Sequence, residues 1–251
     1  MTRPALILHG GAGARRSVNY DREVAHMRQV VEAMAARLAD GASALDVTVE
    51  AVVMLENSGL YVAGRGASPN SDGHYELDAS LMDGASQKAG AVAALQGFRN
   101  PIRAARAVME KTPHVMLAHG TVGCVVLDAK GRLAAATSTA GVFGKMPGRV
   151  GDTPIPAAGT WADDHAAVSC TGQGEYFIRT AAAAQTAWRV AANQPLAAAG
   201  RAVIDQIGAM GGDGGLIALD RHGNRADPFN SQGMKRAWLD VSGEIGVEVF
   251  G

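Results

Sequence analysis

The apolar run Ala5-Leu6-Ile7-Leu8-His9 is closed by Gly10-Gly11-Ala12-Gly13 and predicts a buried strand ending in a sharp turn. Val24, Met27, Val30, Val31, Met34 and Leu38 recur at helical spacing, so residues 21–39 predict an amphipathic helix. Gly41-Ala42-Ser43 breaks it, and Ser43 is placed to cap a second helix running to about Asn57. Residues 59–66 read as a loop. Ser71-Asp72-Gly73-His74 predicts a hairpin turn between two short strands, and residues 75–83 and 88–96 read as strands. Asn100-Pro101 opens a helix to about Glu110, with proline in the tolerated first turn.

The second half follows the same logic. Strands are predicted at 122–128 and 132–138, then a long proline-containing loop, then a strand at 166–171. Helices follow near 174–192 and 195–208. A strand at 214–220 turns at Arg221-His222-Gly223-Asn224, and short strands near 225–228 and within 235–250 finish the chain. Strands and helices occur in both halves without a regular βαβ alternation. That favours antiparallel sheets covered by helices, an α+β layered architecture.

The length of 251 residues suffices for a sizeable core, and a net charge of −1 gives no reason to expect nucleic acid or an anionic membrane as partner. Cys124 and Cys170 each sit in an apolar strand-like run and read as buried free thiols. The N-terminal apolar run is too short for a signal peptide core, and no stretch approaches a membrane span, so the chain reads as cytoplasmic.

No G-x-S-x-G elbow, Walker A loop, H-E-x-x-H pair or C-x-x-C motif occurs, and the seven histidines are scattered. Threonine chemistry remains. If the Gly120–Thr121 bond is cut, Thr121 carries both a hydroxyl nucleophile and an amine base. Thr139 ends the strand predicted to pair with the one Thr121 opens. Arg149 and Asp152 offer a guanidinium for a carboxylate and a carboxylate for an ammonium, which suits the head of an α-amino acid. Thr171-Gly172-Gln173-Gly174 leads from a strand into a helix, where backbone N–H groups can hold an oxyanion. Each segment also has a plain explanation: a glycine turn, β-branched strand residues, or a surface ion pair.

Together these segments resemble the plant-type L-asparaginase/isoaspartyl peptidase family of N-terminal-nucleophile hydrolases. The resemblance is carried in order by His9 to Gly13, Glu76-Leu77-Asp78-Ala79-Ser80-Leu81-Met82-Asp83-Gly84, Arg99-Asn100-Pro101, Thr112 to Leu117, and Gly120-Thr121-Val122-Gly123. It continues through Ala134 to Thr139, Lys145 to Asp152, Val168 to Gly172, Gly211 to Leu216 and Pro228-Phe229-Asn230. It covers nearly the whole chain.

The resemblance implies a four-layer αββα sandwich in a single domain, residues 1–251, that cuts itself into an α part (1–120) and a β part (121–251). Two such units would associate as (αβ)2. It implies Thr121 as nucleophile, with the hydroxyls of Thr139 and Thr171 beside it. Arg149 would hold the substrate α-carboxylate and Asp152 the α-amine, with backbone groups of Gly172 and Gly174 assisting. The implied substrates are small molecules: β-aspartyl dipeptides and L-asparagine, cleaved to L-aspartate through an acyl-enzyme on Thr121. No catalytic cofactor is implied. Residues 55–66 match a segment that wraps a structural sodium ion through backbone carbonyls, which here would be those of Leu55, Glu56, Ser58, Tyr61, Ala63 and Arg65.

Three departures qualify the resemblance. Relatives carry a long connection before the cleavage glycine, whereas Ala118-His119-Gly120 leads directly to Thr121 here; either the connection is short or a linker is missing from the sequence at this point. Val62 stands where relatives usually carry asparagine. Ala140-Gly141-Val142-Phe143-Gly144 replaces a more polar pattern, which implies a reshaped leaving-group pocket with dipeptides preferred to asparagine. Val62 and Phe143 also motivate an alternative, a pseudo-enzyme that binds an aspartyl ligand with little or no turnover.

Overall fold

The computed structural model describes residues 3–117, 123–147 and 149–250. Strand β1 (Ala5–Ala12) runs longer than its apolar stretch suggests, carrying pairing through the glycine run. Helices α1 (Asp21–Ala39), α2 (Ala44–Ser58) and α3 (Pro101–Lys111) match the expected periodicity. Ser43 caps α2 by accepting from the Asp46 N–H, and Gly59 closes it with φ 73°.

Strands β2 (Leu77–Asp83), β3 (Ala89–Leu95), β4 (Met116–Leu117), β5 (Gly123–Leu127) and β6 (Leu133–Thr139) follow. The later strands are β7 (Thr160–Ala162), β8 (Ala166–Gly172), β9 (Gly214–Asp220), β10 (Arg225–Ala226), β11 (Met234–Leu239) and β12 (Ile245–Glu248). They form an eight-stranded sheet, β12-β11-β1-β5-β6-β2-β3-β4, and a four-stranded sheet, β10-β9-β8-β7. Pairing is antiparallel except between β3 and β4.

The layers follow from which faces are apolar. Leu6 and Leu8 of β1 pack with Met27, Val30 and Val31 of α1 and Val52 and Leu55 of α2. The alternate residues Ala5 and Ile7 face the second sheet and pack with Ala167, Ile217 and Leu219. The far face of that sheet, with Val168, Cys170 and Leu216, is covered by α4 (Gly174–Thr180), α5 (Ala182–Ala191) and α6 (Leu196–Ala209). This is a four-layer αββα sandwich. β1 and β5 are apolar on both faces because both are covered.

Three local readings change. The helix expected near 174–192 is broken at Ala181, φ 47°, because the N–H groups of Ala183 and Ala184 bond the carbonyls of Ala158 and Ala157 instead of continuing one helix. The turn at Ser71–His74 forms, with Asn70 Oδ1 accepting from the N–H groups of Asp72 and His74, but no strand precedes it: Ser71 N–H bonds Lys145 O. The loop after β6 contains β7, whose pairing with β8 no local pattern announces. Both cysteines are buried free thiols, as expected. No helix among the described residues is long and apolar enough to cross a membrane.

Candidate active site

A cleft of about 610 Å³ opens where the ends of β1, β6 and β8 meet. Its wall includes His9 to Gly13, Thr139, Arg149, Asp152, Thr171 and Gly172. The structure therefore brings together four separated segments that the sequence singled out. Gly120 and Thr121 lie outside the described residues. The strand they precede, β5, starts at Gly123, which pairs with His9 on one side and Thr137 on the other.

The glycine run of β1 forms a bulge between His9 and Ala12 against β11. Gly10 lies against Tyr61: a Cβ there would sit 2.6 Å from the tyrosine ring. His9 Nδ1 accepts from the Gly11 N–H at 3.3 Å, so Nε2 carries the proton and donates to Ser169 Oγ at 3.2 Å. Burial lowers the His9 pKa to about 3, with Lys235 adding to the effect, so the ring is neutral and acts as a loop fixture. Ser169 continues to Thr137 Oγ1 at 2.8 Å, then to Thr160 and Ser80, a chain of hydroxyls sealed between the two sheets.

Thr139 ends β6 and its hydroxyl donates to Val62 O at 3.4 Å. Thr171 Oγ1 accepts from the Ala12 N–H at 3.3 Å, tying β8 to the glycine bulge. Gly172 lies on the cleft wall with φ 149°. Gly174 sits behind Asp152: a Cβ there would be 2.7 Å from both Asp152 N and Oδ1, so its glycine makes room for the carboxylate.

Arg149 does not pair with Asp152. Its guanidinium makes a bidentate pair with Glu175 at 2.9 and 2.8 Å, and Gly141 and Gly151 leave the space it occupies. Asp152 is 5% exposed and its Oδ2 has no hydrogen-bond partner among the described residues. Burial pushes its pKa up to about 7, against the attraction of Arg149. A buried carboxylate with an unpartnered oxygen is costly unless a cation pairs with it.

Sequence reasoning missed three contributors. Glu175 occupies Arg149. Asp78, opposite Thr139 in the β2–β6 register, is a second buried carboxylate raised to about 7 by burial. Lys145 is buried 3.4 Å from Glu76. The charged residues of Glu76-Leu77-Asp78 in an otherwise apolar strand were the available signal.

The segment expected to hold sodium runs from the end of α2 through a single 3-10 turn at Gly64–Gly66. Glu56 turns its side chain inward. Its Oε1 accepts from Ser138 Oγ at 2.8 Å and the Ile102 N–H at 3.1 Å, and its Oε2 from Asn100 Nδ2 at 3.0 Å.

Comparison with known proteins agrees with this geometry. Residues 2–120 and 117–247 match the family described as Asparaginase. An isoaspartyl peptidase of Salmonella typhimurium (strain LT2) is 40% identical over 299 residues, covering 95% of this chain and 96% of the relative. An isoaspartyl peptidase of Escherichia coli (strain K12) is 41% identical, covering 95% and 93%. A plant-type L-asparaginase of Pyrobaculum calidifontis is 35% identical, covering 97% and 99%. The 299-residue alignment exceeds the 251 residues of this chain, and the two family segments meet at 117–120, so the relatives carry residues that this chain lacks.

Proposed function

This chain belongs to the asparaginase family, and from that premise we propose that it is a threonine amidohydrolase releasing L-aspartate from β-aspartyl dipeptides and from L-asparagine. The observation that carries the reading is the buried Asp152 carboxylate, unpartnered at Oδ2, on the same cleft wall as Arg149, Thr139 and Thr171.

The substrate α-ammonium pairs with Asp152. The α-carboxylate takes Arg149, displacing Glu175, which is half-exposed and so weakly held; surface pairs contribute about 1 kcal/mol or less. An α-linked aspartyl peptide has no free α-carboxylate and is excluded. Thr121 is the nucleophile of this proposal. Its Oγ attacks the β-carbonyl carbon while its own α-amine takes the hydroxyl proton. The C–N bond breaks, the leaving amine takes that proton, and an ester on Thr121 remains. Water then attacks the ester, giving aspartate and the free hydroxyl. The backbone at Gly172, on the cleft wall beside Thr171, supplies the oxyanion contact in this proposal. Maturation uses the same nucleophile: Thr121 Oγ attacks the Gly120 carbonyl, the Gly120–Thr121 C–N bond breaks to free the Thr121 amine and leave an ester, and water hydrolyses that ester into the Gly120 carboxylate and the Thr121 hydroxyl.

Pairing of two processed units into (αβ)2 is part of the proposal, as is a structural sodium ion on the 55–66 segment. The donor chemistry fits a hard cation. A Cβ on Gly66 would lie 2.2 Å from Tyr61 O and 3.0 Å from Gly59 O, so carbonyls converge there. Leu55 O, Tyr61 O and Ala63 O each accept one bond from the protein and keep a second lone pair. The ion would brace the loop carrying Tyr61 and Val62.

The test is intact mass and aspartate release, with Thr121→Ala as control. Two fragments meeting at Gly120/Thr121, with aspartate formed from β-Asp-Leu and both lost in the variant, are expected. An uncut wild-type chain that releases no aspartate overturns the proposal.

A further inference from the structure

Two cations on the cleft wall have no part in holding the aspartyl head. Lys235, the second residue of β11, lies beside the glycine bulge, its Cβ 3.4 Å from where a Cβ on Gly10 would sit. It is half-buried, and among the described residues no hydrogen bond or ion pair engages its ammonium. The Tyr20 ring lies 5.0 Å away, and Glu23 attracts it at longer range. Burial lowers the Lys235 pKa all the same, the mark of an under-compensated cation. Arg15 lines the exposed rim of the same cleft and its guanidinium has no ion pair among the described residues. Asp213, the other carboxylate on the wall besides Asp152, pairs with neither.

The spacing points to one ligand. The Arg149 guanidinium lies just past the end of β6, where a Cβ on Gly141 would be 3.3 Å from Nη1. The sheet order β11-β1-β5-β6 puts three inter-strand steps, about 14 Å of backbone, between the end of β6 and the strand that carries Lys235, and both side chains are long enough to adjust that span. In a β-aspartyl dipeptide the two carboxylate carbons are six bonds apart, about 7 Å when extended. A charge-assisted contact adds about 3–4 Å at each end, giving about 14 Å between the two cations. The reacting amide then falls between them, over the start of β5.

We propose that Lys235, with Arg15 at the rim, binds the free α-carboxylate of the leaving amino acid, so that the enzyme selects β-aspartyl dipeptides ending in a carboxylate over β-aspartyl amides and L-asparagine. The proposal rests on the amidohydrolase reading above and adds the chemistry of its leaving group. L-asparagine fills only the Arg149/Asp152 half of the cleft and leaves Lys235 without a partner. The apolar side chains of Val62, Val142 and Phe143 on the same wall face the leaving residue's own side chain.

The experiment compares kcat/KM for β-Asp-Leu, its C-terminal amide β-Asp-Leu-NH2, and L-asparagine, using processed wild-type, Lys235→Met and Lys235→Arg enzymes. The readout is the acid-to-amide ratio, in which any general loss of turnover cancels. Wild type is expected to prefer the acid by about 10- to 100-fold, the worth of one charge-assisted bond. Lys235→Met brings the ratio close to one, and Lys235→Arg keeps most of it. A wild-type ratio near one, or a ratio preserved in Lys235→Met, overturns the proposal while aspartate release from the amide and from asparagine leaves the amidohydrolase reading standing. No aspartate from any of the three substrates removes both.

Discussion

Glu56 offers a quantitative test of how the first sheet is tied to its helices. Its carboxyl is fully buried and joins α2 to Ser138 on β6, to the first turn of α3 and to Asn100. Burial, partly offset by those hydrogen bonds, raises its pKa from 4.5 to about 7. The folded state therefore holds a proton between those values that the unfolded state has lost, and stability falls as pH rises through that window. The gap is worth about 3 kcal/mol once the carboxyl is ionised in both states. Glu56→Gln is a permanently neutral analogue and escapes that loss. At pH 5 it should lie within about 1 kcal/mol of wild type, and by pH 8.5 it should have gained about 3 kcal/mol relative to it. Glu56→Ala instead orphans the Ser138 hydroxyl and the Ile102 N–H, at about 2 kcal/mol each, or about 4 kcal/mol together. Urea unfolding followed by circular dichroism at both pH values measures these differences. A Thr121→Ala background keeps one polypeptide throughout. A wild-type-to-Gln difference that does not move with pH would refute the claim that this carboxyl is desolvated, and an Ala cost under 1 kcal/mol would refute the bracing role.

Other expectations concern the cleft. Asp152 must be ionised to hold an ammonium, and burial puts its pKa at about 7, so kcat/KM should fall as pH drops below about 7. Asp152→Asn should lower kcat/KM about 100-fold, as loss of a buried charge-assisted bond does. Arg149→Lys removes bidentate recognition and should raise KM for asparagine about tenfold, read from steady-state kinetics. A Cβ on Gly123 would fall 2.0 Å from Ser169 Oγ and 2.5 Å from His9 Nε2. Gly123→Ala should therefore cost about 2 kcal/mol in unfolding experiments, and adding Ser169→Ala should recover part of it.

Much of this protein is legible locally. The helices of the first half follow from apolar stripes and from Ser43 and Pro101 at their starts, because capping and 3.6-residue periodicity act within a few residues. Family membership was legible too, because weak motifs in a fixed order become specific together. Thr121 stood out by what its hydroxyl and a freed amine could do, the resemblance then implied the cut before it, and Gly120 and Thr121 lie outside the described residues.

Tertiary structure decided what depends on distant partners. The break at Ala181 needs the carbonyls of Ala157 and Ala158, and β7 needs β8. Glu56 reads as a polar residue near a helix end, and only packing against Ser138 and Ile102 makes it a buried tie. Arg149 and Asp152 look like a pair in sequence, yet Arg149 takes Glu175 and Asp152 is left open, since three residues of chain do not fix where side chains point. Lys235 has no motif at all. Sequence determined the periodic elements and the reactive residue types, since both are local chemistry. Only the packed sheets determined which charges lost water and which were left facing the cleft, because desolvation and pairing are properties of atoms brought together from across the chain.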